Sequence, residues 1–181
     1  MQRIKAIDPV TATDDVKVTL DAVKAKLGGV PNIFRTMAVA PSVLNGYLAF
    51  SDATEKGRLS GKLRERIALA TANINGCDYC ASAHQALGKM AGLSPEEIGA
   101  ALRGQSDDAK VAAALTFAKA VLADRGQVSD DALKAVRAAG WSDGEILEIV
   151  ASVVLNILTN YLNNVAGTEV DFPRVTTHRA A

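Results

Sequence analysis

Aromatic side chains make up only 4% of this 181-residue chain, and there are just two cysteines, two histidines and one tryptophan. So few aromatics exclude a base-stacking platform for single-stranded nucleic acid. No charge of one sign dominates either: Lys plus Arg equals Asp plus Glu at 20 each, so no net field draws the chain to nucleic acid. The first residues, MQRIKAIDPVTATDD, lack the apolar run of a signal peptide. The longest strongly apolar stretch, 149–158, is short of a bilayer span and is interrupted by Asn156. The expectation is a soluble, cytoplasmic protein without a nucleic-acid or membrane partner. Period-2 alternation is missing too, which excludes an obvious sheet.

What is present is alanine, small aliphatics and repeated helix punctuation. Ser94-Pro95-Glu96-Glu97 and Ser142-Asp143-Gly144-Glu145 are capping boxes, the first with proline at the opening helical position. Each follows Ala-Gly and an apolar residue, Leu93 or Trp141, where glycine ends one helix and the apolar residue staples the next. These marks predict helices at about 13–27, 41–56, 60–75, 77–91, 94–103, 107–124, 129–138 and 142–165. Gly28-Gly29-Val30-Pro31-Asn32 reads as a turn, and the chain from Asp171-Phe172-Pro173 onward as irregular. The fold class is all-α. A chain of this length buries roughly 70% of its unfolded surface and builds one full core. We read 1–181 as a single domain, with an N-terminal helical extension over about 1–40 and an irregular tail over about 171–181.

A weak internal repeat adds to this. An offset of 83 lays Glu65-Arg66-Ile67-Ala68 and Asn73-Ile74 on Glu148-Ile149-Val150-Ala151 and Asn156-Ile157. It sets Cys77 and Cys80 opposite Asn160 and Asn163, and predicts two related helical hairpins packed together.

Both cysteines fall in one cluster: Glu65, eleven residues, Cys77-Asp78-Tyr79-Cys80, three residues, His84. Two closely spaced thiols in a reducing compartment point to catalysis or metal binding rather than a staple. Gly76 breaks the helix and puts Cys77 near the next N-terminus, where free N–H groups and the helix dipole stabilise a thiolate. Such sites lower a thiol pKa from about 8.5 to ~3.5–7.5. Cys80 and His84 lie three and seven residues beyond Cys77, on one helical face. Glu65 reaches that face only if the two helices form an antiparallel hairpin.

In that geometry one thiolate attacks a peroxide and becomes a sulfenic acid, and the second thiol condenses with it to a Cys77–Cys80 disulfide. Glu65 acts as base and His84 relays the proton. Helix position favours Cys77 as the low-pKa thiol; the four-residue reach of His84 favours Cys80. Cys77, Cys80, His84 and Glu65 also make a four-ligand zinc set, but structural zinc more often joins two separated ligand pairs. The expectation is redox chemistry with no metal and no cofactor. His178 reads as a solvated tail residue, Trp141 as core or staple, and Asn160, Tyr161 and Asn163 as satisfying buried backbone groups or a subunit contact.

The spacing Glu-(eleven)-Cys-x-x-Cys-x-x-x-His, with Leu63 to Ala70, Asn75 to Cys80 and Asn160 to Pro173, resembles the AhpD-like alkylhydroperoxidases of the carboxymuconolactone decarboxylase superfamily, and its latter half the peroxidase-related subgroup. The resemblance implies a helical-hairpin fold, a homo-oligomer (trimer or hexamer), and antioxidant, peroxiredoxin-type activity on alkyl hydroperoxides or hydrogen peroxide. It also implies recycling by a dithiol such as lipoamide or a thiol protein. Glu65, Cys77, Cys80 and His84 carry over as site residues. The best-described members have a second histidine where this chain has Tyr79, a poor proton shuttle near pH 7. Alternative activities are disulfide reduction, decarboxylase-type chemistry on the same fold, or a zinc-bound structural module.

Overall fold

Side-chain caps set the helix starts in the computed structural model, which describes residues 2–177. The hydroxyls of Ser60, Ser94, Ser129 and Ser142, the Asp108 carboxylate and the Cys77 sulfur each accept a backbone N–H of the first turn that would otherwise lack a partner. Both expected capping boxes are formed. The resulting helices are α1 (Asp14–Leu27), α2 (Asn32–Met37), α3 (Pro41–Glu55), α4 (Gly61–Ile74), α5 (Asp78–Met90), α6 (Pro95–Leu102), α7 (Ala109–Ala123), α8 (Asp130–Ala138) and α9 (Asp143–Ala166). No strand occurs among the described residues. All eight expected helices are present, with ends within about two residues.

The short helix α2 is the exception, unanticipated in the sequence. Its start is fixed from far along the chain: the Asn32 N–H donates to Asp171 Oδ2 at 2.8 Å, and Asn32 Nδ2 donates to the Glu169 carbonyl at 3.0 Å. A six-residue helix held by tertiary bonds leaves no local periodicity to read.

Three helices form the centre. α4 packs on α5, α7 and α9, and α7 packs on α8 and α9. Their shared core joins Leu63, Ile67, Leu115, Phe117, Val136, Ile149 and Val153. Trp141 belongs to it, as expected, with its indole N–H on the Lys110 carbonyl at 2.9 Å and the Lys110 ammonium 4.3 Å above the ring. A second core, with Leu20, Met37 and Leu44, fastens α1–α3 near Leu162 of α9. The apolar stretch 149–158 lies inside α9, whose 24 residues are by length and composition alone enough to cross a membrane. Here its inner face is buried against α4 and α7.

The offset-83 segment does pack against the α4–α5 hairpin, but as one unbroken helix rather than a second hairpin. The first unit turns at Gly76, whose φ of 61° suits a residue without Cβ. Its counterpart is Thr159, which continues α9 and donates its hydroxyl to the Asn156 carbonyl. Glu148, the counterpart of Glu65, holds the loop before α4: its Oε2 accepts the N–H groups of Arg58 and Leu59 at 2.7 and 3.0 Å. A Cβ on Gly57 would stand 2.6 Å from that oxygen.

The tail beyond α9 lies over the start of α5. Asp78 Oδ1 accepts the backbone N–H and hydroxyl of Thr177 at 2.9 and 2.8 Å, and Arg174 stands 3.6 Å from Oδ2. Partial burial pushes the Asp78 carboxyl upward, but Thr177 and Arg174 outweigh it and hold its pKa below the ordinary value. His178 lies outside the described residues.

Two predictions follow from these contacts. Gly57→Ala and Glu148→Ala should each cost about 1–2 kcal/mol by chemical denaturation, because each removes the loop's hydrogen bonds. In the Glu148→Ala background Gly57→Ala should cost little more, and full additivity would disprove the shared cause. For Asp78, the lowered carboxyl pKa means the latch is complete above its ordinary value near 3.8 and is lost as pH falls through the folded value. Hydrogen exchange over 171–177 should accelerate in that acid window in the wild type, and be fast at every pH in Asp78→Asn.

Candidate functional site

The hairpin turn builds the site. α4 ends at Ile74, the chain reverses through Asn75 and Gly76, and Cys77 becomes the N-cap of α5. Its sulfur accepts the Cys80 N–H at 3.2 Å. Cys77 and Cys80 are joined as a disulfide, with Cα atoms 5.3 Å apart. Both are sealed, at 0% and 2% exposure. The jacket is apolar: Ala72, Tyr79 and Ala81, then Ile33 from α2 and Val170, Phe172 and Val175 from the tail.

Because α4 and α5 run antiparallel, Glu65 arrives beside α5. Its Oε2 lies 2.8 Å from His84 Nδ1, with both side chains about one-fifth exposed (19% and 21%). The described hydrogen bonds pair Glu65 with His84 and join neither to a sulfur. The structure therefore gathers the four expected residues as two adjoining pairs, one covalent and one hydrogen-bonded. The zinc set is not assembled, since no three His, Cys, Asp or Glu side chains converge among the described residues. Tyr47 of α3 feels the Glu65 charge: burial pushes its phenol pKa upward, Ser51 opposes this, and the charges of Glu55 and Glu65 add to it.

Tyr79 is a strut. Its hydroxyl accepts the Ile33 N–H at 3.1 Å, and its ring meets Phe172 edge-on at 5.8 Å between centroids. Burial holds the phenol far above its ordinary pKa; the Ile33 N–H pulls the other way and nearby Asp171 adds to the rise. The group stays a neutral, protonated phenol, ties α2 to α5 and shuttles no proton at physiological pH.

A row of amides from α9 meets the turn. Asn163 Nδ2 donates to Cys80 Sγ at 3.2 Å, Asn75 Nδ2 donates to Asn160 Oδ1 at 2.9 Å, and Asn164 Nδ2 donates to the Asn75 carbonyl at 3.0 Å. Asn160 bonds a side chain and Asn163 a sulfur rather than the backbone groups expected of them, and it is Asn164, not singled out in the sequence, that bonds a backbone carbonyl. Tyr161 is exposed. Sequence reasoning missed Asn163 as a sulfur partner, although the offset of 83 had set it opposite Cys80. A cleft of about 410 Å³ opens beside Gly76, Asp78, Tyr79, Asn163 and Arg174. On the other side of Asn163 lies a smaller, largely apolar cavity of about 150 Å³, lined by Ile33, Met37, Val43 and Leu162.

The fold has relatives. The family model of the carboxymuconolactone decarboxylase family matches residues 41–124, which span α3 to α7. A solved structure of an alkylhydroperoxidase AhpD core, an uncharacterised peroxidase-related protein of Ralstonia eutropha, superposes with TM-score 0.85 at 27% identity, over 94% of this chain and 92% of its own. A peroxidase-related protein of Silicibacter sp. gives TM-score 0.79 at 23% identity, over 92% and 88%. The debrominase Bmp8, solved as a variant in complex with 2,3,4-tribromopyrrole, gives 0.79 at 18% identity, over 93% and 91%. Among curated proteins none matches the chain by sequence. The match over residues 41–124 and the likeness of the whole fold to the AhpD core make the chain similar to the carboxymuconolactone decarboxylase family and its AhpD-like members.

Proposed function

We propose that the protein is a thiol-dependent peroxidase serving antioxidant defence, which reduces alkyl hydroperoxides or hydrogen peroxide through reversible closure of the Cys77–Cys80 disulfide. The observation that carries this is the hydrogen-bonded Glu65–His84 pair, whose imidazole stands on the same helix as a closed disulfide. A disulfide supplies the two-electron chemistry, and an acid–imidazole pair supplies the proton transfer.

In the reduced protein one thiolate attacks the distal oxygen of ROOH, the O–O bond breaks, and the alcohol departs with a proton delivered from His84. The sulfenic acid condenses with the second thiol, which forms the S–S bond and releases water. Because Glu65 is bonded to Nδ1, it acts through the imidazole, fixing the tautomer and stabilising the imidazolium. A dithiol reductant, lipoamide-like or a thiol protein, returns two electrons by thiol–disulfide exchange. The apolar cavity beside Asn163 fits a short alkyl group. The cycle uses no cofactor and no metal.

We further propose a soluble cytoplasmic homo-oligomer, a trimer or hexamer. Leu147, Val154, Leu158, Tyr161 and Val165 are exposed on one face of α9, an apolar stripe that a second copy would cover. The alternatives use the same site differently. A disulfide reductase would take its electrons elsewhere, and a debrominase of this fold makes a bromopyrrole a fair competitor in an oxidant panel. Decarboxylase-type chemistry would leave the thiols unchanged.

One equivalent of cumene hydroperoxide added to reduced protein should lower its mass by two hydrogens, and Cys77→Ser or Cys80→Ser should abolish that loss. Thiols that stay reduced would overturn the proposal. Glu65→Gln should slow peroxide turnover at pH 7 by at least about 100-fold, while diamide still closes the disulfide. Wild-type turnover in this variant would remove Glu65 from the chemistry and leave the thiols in place.

A further inference from the structure

We propose that Asn163 is a positioning residue for the sulfur pair, holding Cys80 Sγ through its amide N–H and stabilising negative charge there when the pair is reduced. The contact joins residues 83 apart in sequence at 3.2 Å. Asn163 is itself 3% exposed, so solvent screens the bond little. The inference rests on the redox role of the thiols proposed above and adds a residue that tunes them.

The argument turns on how an N–H donor treats different sulfurs. A disulfide sulfur is a weak acceptor, whereas a thiolate accepts a charge-assisted bond about twice as strong as a neutral one. The Asn163 bond therefore strengthens on reduction. It favours the thiolate over the thiol at Cys80, and the open pair over the closed one. Cys77 has its own donor, the Cys80 backbone N–H at the start of α5, so the two sulfurs are held by separate devices. The Asn163 amide oxygen is buried and has no hydrogen-bond partner among the described residues, so the bond to Cys80 Sγ is what orients this side chain.

α5 and its N-cap carry Cys77, Asp78, Tyr79, His84 and Lys89, α4 carries Lys62, Arg64, Glu65 and Arg66, α2 carries Arg35, and the tail brings Glu169, Asp171 and Arg174. Glu97 of α6 is paired with Arg66. Beyond Glu148, α9 has one titratable side chain, the exposed Tyr161. The element that touches Cys80 Sγ through Asn163 therefore acts by amide dipole and not by charge.

The test reads each thiol separately. Reduced protein is pulsed with iodoacetamide between pH 5 and pH 10, and peptide mass mapping follows Cys77 and Cys80. In Asn163→Ala and in the isosteric Asn163→Asp, the alkylation midpoint of Cys80 should rise by about one unit or more, while that of Cys77 stays in place. In a dithiothreitol redox titration of Asn163→Ala the disulfide should be favoured about tenfold more, a potential about 30 mV lower. Asn163→Ser, which keeps a donor, should recover part of both. An unmoved Cys80 midpoint, or both cysteines moving together as a loosened turn would make them, overturns the proposal. Asn163→Asp preserves shape and decides the matter if Asn163→Ala fails to fold by circular dichroism. Alkylation needs no peroxide, so its outcome is separate from that of the peroxidase reading.

Discussion

The antiparallel pairing of α4 and α5 is the constraint on which the rest of the structure depends. One reversal at Asn75-Gly76 does three things at once: it frees the N-terminus of α5 to be capped by Cys77, sets Cys80 one turn on, and swings Glu65 against His84. A left-handed residue is needed at the reversal, and glycine takes that conformation at little cost. The other helices then hold the hairpin in register. α9 does so with amides against the turn, α7 with apolar side chains against α4, and α2 through the bond from the Ile33 N–H to Tyr79.

The site divides into two dielectric regimes. The sulfurs sit in a dry apolar jacket, where any developing charge must be met by specific N–H donors. The Glu65–His84 pair lies nearer the surface, partly exposed, where proton exchange with solvent is open. In the proposed peroxidase cycle this separation would shield the sulfurs while leaving the acid–imidazole pair in communication with water. Tyr79 belongs to the first regime: at this position, where the resemblance implied a histidine, the chain has a neutral hydroxyl that braces α2.

Much of this was legible in the residues. Serine caps, Ala-Gly stops and the absence of alternation delimited eight helices, because those signals act within one turn of chain. The Glu65–His84 contact could be inferred once Gly76 was read as a reversal. What could not be read was set by distant partners. α2 forms because Glu169 and Asp171 bind Asn32, more than a hundred residues away. The second repeat unit was expected to fold back, yet Thr159 in place of Gly76 lets α9 run straight. The partner of Asn163 was invisible for a related reason: an asparagine has many possible acceptors, and only the packing angle of α9 on the hairpin selects a sulfur.

The tail that covers the cysteines has a consequence for biosynthesis. The thiols belong to residues 77–80, while the groups that enclose them, Asn163, Val170, Phe172 and Val175, come 83 or more residues later. At a synthesis rate of about 5–20 residues per second, several seconds separate the emergence of the pair from its enclosure. During that interval the nascent hairpin offers both thiols openly to whatever oxidant or reductant surrounds the ribosome, whereas in the finished fold the same reagents must first pass the tail.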